Sequence, residues 1–301
     1  MKSDRTGSSP SPVPSSLRPQ VAVVLGLIGV RAAAAIPLFE FLEEEQIAID
    51  LLLGTSGGAW LAAMRGAGYS PAQMQEFLTE MERQKVYSQL DFQTLLGLAH
   101  AKLARPGIGS ALRKVERQKQ MACRIFGTRR LEELQPATVL QTSDCVAGGA
   151  VPLSVGDVAD AVCAASALTP YFPPQQIGGR WLADGAFVMP VPVLEAVKRH
   201  ADVIIALYYE EAPKPQPKDL LEANYNLLSA YLGSLIKDQN LLAIDLHHHE
   251  IVLLPLKLEP YIGPWDTAAQ PALLQAGRQA VERGREEILA AVRTAMPAPR
   301  D

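Results

Sequence analysis

Residues 49–60 read IDLLLGTSGGAW, and the character of the chain changes at the centre of that stretch. Ile47–Leu53 is an apolar run that suits a buried strand, and Ala59–Arg65 is compatible with a helix. Between them, Gly54-Thr55-Ser56-Gly57-Gly58 leaves room only for a tight turn with a serine at its apex. Glycines on both sides let the backbone take a strained, exposed conformation while strand and helix still pack closely. The helix begins where the hydroxyl sits, so its free N–H groups and positive dipole end can stabilise an oxyanion beside Ser56. This is the sequence form of a nucleophile elbow. The same five residues also suit a plain Gly/Ser-rich connection, so a partner elsewhere in the chain has to decide between the two.

Working outward, Val21–Leu25 is a short continuous apolar run of the kind found in strands buried on both faces. Gly26-Leu27-Ile28-Gly29-Val30-Arg31 then leads into a helix over Ala32–Glu45, with Leu38, Phe39, Phe41 and Leu42 for its inner face. The first 60 residues therefore read strand, loop, helix, strand, elbow, helix, an alternation that argues for a parallel sheet covered by helices. Ser70-Pro71-Ala72-Gln73 is a helix start with a capping box. Phe92–Ala104 predicts an apolar helix placed to cover the site, and Ser110–Cys123 a charged, solvated one. Ala137–Ser143 and Val151–Val155 are expected to pair as strands, Val158–Leu168 to form a small-residue helix, and Arg180–Ala183 a short strand ending in the Asp184-Gly185 bend. Then come a helix over Val193–His200, a buried strand over Asp202–Tyr208 and a Pro-containing loop over Glu210–Lys218. Asp219–Asn240 carries an apolar stripe (Leu221, Tyr225, Leu228, Leu232, Leu235, Ile236) that is expected to face the core, a lipid-facing lid being the other reading. Glu250–Leu254 and Gln270–Thr294 close the fold as strand and helix.

Composition narrows the function. The chain has 301 residues, 48% of them hydrophobic, enough for one large domain, expected over residues 20–295 between disordered ends at 1–19 and 296–301. A net charge of −4, with Lys and Arg scattered, gives no footprint for nucleic acid. Cys123, Cys145 and Cys163 are odd in number and lack C-x-x-C spacing, so they predict buried thiols, neither a disulfide framework nor a zinc site. The N-terminus holds no apolar signal region, and no apolar run of about 18 residues occurs, so a cytoplasmic location is expected, with leaderless export left open.

A serine hydroxyl becomes a useful nucleophile only when a base takes its proton. Asp184, at the end of a strand in a glycine-containing bend, is one candidate, although an aspartate before glycine also serves as a turn or helix cap. Histidine is the other: His100, His200 and the run His247–His249. The order Ser56, Asp184, His247–His249 matches that of α/β-hydrolase triads. Only one strand-helix unit precedes Ser56, however, which disfavours a Ser-His-Asp esterase, and consecutive histidines point in different directions, so at most one could act. No ligand-spaced residues suggest a metal.

Three blocks in order carry a resemblance to a known family. VVLGLIGVRAAAAIPLFEFLEE (23–44) sits where that family has a glycine-rich oxyanion loop, a basic residue and a helix; GTSGGA (54–59) matches its G-x-S-x-G elbow; ADGA (183–186) matches its Asp-Gly motif. ASALTPYFPP (165–174) adds weaker support. From Val21 to about Leu289 the chain resembles the bacterial patatin-like phospholipases. The resemblance implies a three-layer α/β/α fold with a mostly parallel central sheet and a Ser56–Asp184 dyad that needs no histidine, metal or organic cofactor. It implies a lipid or acyl-ester substrate, a phospholipid or lysophospholipid, and transient peripheral membrane contact through Phe92–Ala104 or Asp219–Asn240. The oxyanion hole falls on the N–H groups of Leu27, Ile28, Gly29 and Gly57, with Gly26, Arg31, Gly54, Gly58 and Gly185 in support. Gly26-Leu27-Ile28-Gly29 departs from the family's consecutive glycines. If the loop needs φ > 0 at Leu27 or Ile28, strain of about 1–3 kcal/mol follows, and a weak or inactive lipid- or partner-binding relative becomes the alternative.

Overall fold

The computed structural model describes residues 18–86, 90–99, 107–210, 213–247, 250–259 and 261–295. Residues 1–17, 296–301 and the part of the expected helix beyond Ala99 lie outside these, as do His100, His248 and His249. Arg18 and Pro19, placed above in the tail, belong to the fold: Arg18 pairs with Asp50 at 2.6 Å and Pro19 is buried.

Every residue of β1 (Val21–Leu27) is buried, because helices cover both faces of the sheet. In chain order the other strands are β2 (Leu51–Ser56), β3 (Ala137–Asp144), β4 (Ala150–Leu153), β5 (Gln175–Ile177), β6 (Arg180–Asp184), β7 (Val203–Tyr209) and β8 (Glu250–Leu256). They form one eight-stranded sheet in the order β5-β6-β3-β2-β1-β7-β8, with β4 on β3. The pairs from β3 through β2, β1 and β7 to β8 are parallel, while β4, β5 and β6 join antiparallel. The helices are α1 (Ile36–Glu44), α2 (Gly57–Gly66), α3 (Pro71–Arg83), α4 (Phe92–Ala99), α5 (Glu116–Phe126), α6 (Val158–Ala165), α7 (Val193–Lys198), α8 (Leu220–Leu246) and α9 (Gln270–Thr294). Alternation along β1 divides the core: Val21, Val23 and Leu25 face a cluster with residues of α1, α2, α5, α6 and α9, whereas Ala22 and Val24 face α7 and α8. The result is three layers, helix, sheet, helix. Among the described residues no helix is long and apolar enough to cross a membrane.

Most elements lie where the sequence puts them, including the reciprocal capping box of Ser70 and Gln73. Two expectations change. The charged segment expected to be a solvated helix is helical only from Glu116, and one face of α5 is core: Met121, Ala122, Ile125 and Phe126 are buried. Its polar Gln118 is buried too, with Nε2 donating to the Ser166 hydroxyl at 2.7 Å, which also accepts from Trp60 Nε1 at 3.1 Å. The thiols are not all buried: Cys163 is, but Cys123 and Cys145 are exposed. The former lies on the outer face of α5 and the latter just past the end of β3. The apolar stripe of α8 does face inward, with Leu232 and Ile236 buried and Tyr225, Leu228 and Leu235 half-buried, while Leu227, Tyr231, Leu241 and Ile244 are exposed.

Between Leu27 and α1 the chain forms a 3-10 helix, Gly29–Ala35, on which α9 rests. A Cβ at Gly277 of α9 would lie 2.3 Å from the Ala34 carbonyl oxygen. Gly277→Ala therefore forces the two apart and is expected to destabilise the fold by about 1–3 kcal/mol, read from the urea midpoint. An unchanged midpoint would contradict this packing.

Candidate active site

Ser56 ends β2 with φ 56° and ψ −125°, a left-handed backbone conformation that a serine adopts at a cost of about 1–3 kcal/mol. Packing on both sides holds it there. Leu27 of β1 is its register partner, and α2 begins at the next residue. The close fit depends on Gly58, where a Cβ would lie 2.2 Å from the Leu25 carbonyl oxygen, and on Gly54, where one would lie 2.6 Å from the Ala59 Cα.

Asp184 reaches the same place from the other side of the sheet. Thr55 pairs with Gln141 on β3, and the next residue of β3, Thr142, pairs with Asp184. Ser56 and Asp184 thus end on one rung, two strands or about 10 Å of backbone apart, a gap that two converging side chains close. Gly185 seats the turn, since a Cβ there would lie 2.4 Å from the Gln141 carbonyl oxygen. The Asp184 carbonyl accepts from the Ser143 hydroxyl at 2.7 Å, and its carboxylate Oδ1 from the Ala186 N–H at 2.9 Å. The aspartate does cap a turn, then, but with one oxygen only.

The other oxygen, Oδ2, is buried without a hydrogen-bond partner. Burial pushes the Asp184 carboxyl up to about 7, opposed by the nearby Ser56 hydroxyl and the Ala186 N–H. The hydroxyl is thus close enough to influence the carboxyl, yet the two do not form a bond of full geometry. Such looseness is common in uncomplexed sites and tightens when a substrate is bound.

The loop beside them resolves the concern about its leucine and isoleucine. Leu27 finishes the strand and Ile28 has φ −90°; the positive φ, 58°, falls on Gly29. No left-handed strain rests on either bulky residue. A Cβ on Gly57 would lie 2.9 Å from the Gly29 nitrogen, so the first residues of α2 and of the 3-10 helix meet side by side. First-turn N–H groups lack acceptors inside their own helices, and those of Gly29 and Gly57 lie beside Ser56. The Val30 N–H is instead spent on the Pro264 carbonyl at 3.0 Å.

Arg31 is wholly buried, and its Nε and Nη2 donate to the Ile262 carbonyl at 3.0 and 2.9 Å while its guanidinium lies 3.8 Å over the Tyr209 ring. It ties segment 262–264 against the loop. Gly26 fits under Pro190 and Val191 on the opposite side. Ile262 and Pro264 were not legible as part of the site, because nothing local in their sequence marks them; only the fold brings them to Gly29.

The Ser-His-Asp alternative loses its described histidines. His247 leaves α8 just ahead of β8, and His200 lies just ahead of β7. Both are at the N-terminal edge of strands that run parallel to β2, whereas Ser56 is at the C-terminal edge. Among the described residues no cluster of His, Cys, Asp and Glu could hold a metal.

Beside Gly29 and Gly57 lies a narrow apolar pocket lined by Trp60, Leu61, Leu78 and Met81, with about 20 Å³ of free space, room for about one water. On the other side, Ile28, Leu168, Ala186 and Leu232 form a buried apolar cluster with Tyr171, Phe187 and Trp265 packed against it.

The raised Asp184 pKa has a consequence for stability. Between about pH 4 and pH 7 the folded chain keeps a proton that the unfolded chain has lost, so this group's contribution to stability falls as pH rises through that window and is level outside it. Asp184→Asn removes the effect. Its stability relative to the parent is expected to improve by on the order of 2–4 kcal/mol between pH 4.5 and pH 8 in urea unfolding. Parallel pH profiles would show that the carboxyl is not perturbed.

Comparison with known proteins places the chain. The patatin-like phospholipase family model matches residues 24–197. An uncharacterized NTE family protein of Mycobacterium tuberculosis is 26% identical over 237 residues, as is one of Mycobacterium bovis. The matched region covers 77% of this chain and 61% of those relatives, so the chain spans about three-fifths of their length. Among solved structures, VipD from Legionella pneumophila aligns with a TM-score of 0.48 at 11% identity, over 90% of this chain and 67% of that one. The type III effector protein ExoU aligns with a TM-score of 0.36 at 13% identity, over 92% and 59%. With the family model covering more than half of its residues, the chain belongs to the patatin-like phospholipase family.

Proposed function

We propose that this protein is a serine acyl hydrolase of lipid esters, of the phospholipase A or lysophospholipase type, working through Ser56 and Asp184. The observation that carries the proposal is the pairing of a strained serine with a wholly buried aspartate whose free oxygen has no other partner. As a carboxylate, Asp184 takes the Ser56 Oγ proton as Oγ attacks the ester carbonyl. The tetrahedral oxyanion is stabilised by the N–H groups of Gly29 and Gly57, with the positive end of α2 behind them. Collapse forms the acyl-serine and expels the alcohol, which takes its proton back from Asp184. Asp184 then deprotonates a water that releases the fatty acid and restores Ser56. Strain already present at Ser56 and burial of Asp184 are features expected of a site organised in advance for this sequence of steps.

The acyl chain enters the pocket beside Gly57, which must widen to admit it, with Met81 and Leu78 as the side chains that yield. The Ile28–Trp265 cluster forms the apolar mouth. Exposed Phe92 and Leu96 on α4, with Leu227, Tyr231 and Leu241 on α8, offer apolar surface for transient contact with a bilayer.

A labelled fluorophosphonate is expected to modify the folded protein and to leave Ser56→Ala unlabelled; equal labelling of both would sink the proposal. In wild type, kcat/KM for a short-chain ester should climb with pH through about 7 as Asp184 ionises, because only the carboxylate can accept the proton. Met81→Ala enlarges the acyl pocket and should shift the kcat/KM ratio toward longer chains by about tenfold, the scale of one to two buried methylenes. An unmoved chain-length profile would place the acyl group elsewhere.

A further inference from the structure

Segment 263–265 has two sides. One abuts the oxyanion loop: Pro264 accepts from the Val30 N–H and backs onto Gly29, and Trp265 joins the cluster around Ile28. The other side walls a separate cavity of about 250 Å³, which Arg113, Tyr171, Lys214, Tyr225 and Tyr261 also line. The charges in it do not cancel. Glu222 is the one carboxylate among the described lining residues, and it pairs with the Lys214 ammonium. Arg113 has no acidic partner among the described residues. Its backbone N–H is fixed to the Tyr171 carbonyl at 2.9 Å, and its guanidinium lies 5.7 Å over the Trp265 ring. Half-burial pulls its pKa down, the direction expected of a cation held without a counter-ion.

A half-buried guanidinium beside phenol groups is suited to a two-pronged grip on a phosphate. Tyr171 and Trp265 line this cavity and also pack on the apolar mouth of the hydrolase, so the two adjoin. A molecule that fills both must carry an anion a short tether away from an acyl ester, which is the arrangement within a glycerophospholipid. We propose that this cavity is the head-group subsite and that Arg113 binds the phosphodiester of a glycerophospholipid, an assignment that rests on the acyl-hydrolase reading above. Trp265 and Tyr171 stand between the two sites, with the phosphate on one side and the ester on the other.

Ser56→Ala protein allows binding to be followed without turnover, with tryptophan emission as the signal. Three probes are titrated: dihexanoylphosphatidylglycerol below its micelle concentration, dihexanoylglycerol and inorganic phosphate. The phospholipid is expected to bind more tightly than the neutral diester. Adding Arg113→Gln should reduce the phospholipid-to-diester affinity ratio by about tenfold, the scale of one charge-assisted contact, with Arg113→Lys falling between. A merely structural role for Arg113 would weaken both lipids together and leave the ratio where it was, which would overturn the assignment. Inorganic phosphate binding as tightly as the phospholipid would also overturn it, in favour of a site for a free anion. Failure of the hydrolase reading would appear separately, as absence of ester turnover by wild type, because the titration does not use the serine hydroxyl.

Discussion

The left-handed backbone of Ser56 is the constraint from which the other features of the site follow. A serine enters that region only when its surroundings leave no alternative. Here the ladder of β1 and β2 fixes the chain on its amino side, and α2, pressed onto the Leu25 carbonyl through Gly58, fixes the chain beyond it. The geometry that holds Ser56, itself buried, also brings the first turn of α2 against Gly29, so the proposed nucleophile and oxyanion donors share one packing arrangement. Loosening any part of it, from Gly58 to α9 behind the 3-10 helix, would disturb both together.

Asp184 represents the opposite arrangement, a group kept where it is least comfortable. Desolvation raises its proton affinity until it can give and take a proton near neutral pH, and the same desolvation destabilises the folded chain at alkaline pH. The cost is tolerated because the aspartate is held from several directions: the Ala186 N–H on one oxygen, the Ser143 hydroxyl on its carbonyl, the Ala167 carbonyl accepting its N–H at 3.1 Å. None of these contacts uses Oδ2, which stays available to the serine.

Much of this was legible in the sequence because it is local. The elbow is written in five consecutive residues, the buried strands in continuous apolar runs, and the capping box in Ser70 and Gln73. What was not legible depends on tertiary placement. The charged composition around α5 hid a core face because Met121 and Ile125 are spaced four apart among lysines and arginines, and the amide N–H of buried Gln118 finds its acceptor at Ser166, 48 residues away. The loop glycines were misjudged in a different way. Their number suggested strain at Leu27 or Ile28, but the left-handed position is Gly29, and a sequence does not say at which residue a loop turns. Pro264 and Ile262, more than 230 residues from the loop they support, carry no motif.

The antiparallel edge of the sheet explains why an aspartate so late in the chain reaches the elbow. Parallel strands joined by helices place all their C-terminal ends on one edge, where Ser56 and Gly29 lie. A further parallel strand beside β3 would offer its own C-terminal loop at that edge, out above the sheet. β6 instead runs against β3, so its last residue stops within the sheet, level with Thr142, and is buried by its neighbours. A carboxylate delivered from a loop would be solvated, with an ordinary pKa and a mobile side chain. Delivered by the end of an inward-running strand, it is dry and fixed, and in the proposed mechanism the reversal of strand direction at β3 is what would let one aspartate serve without the histidine that a solvated acid would need as its intermediary.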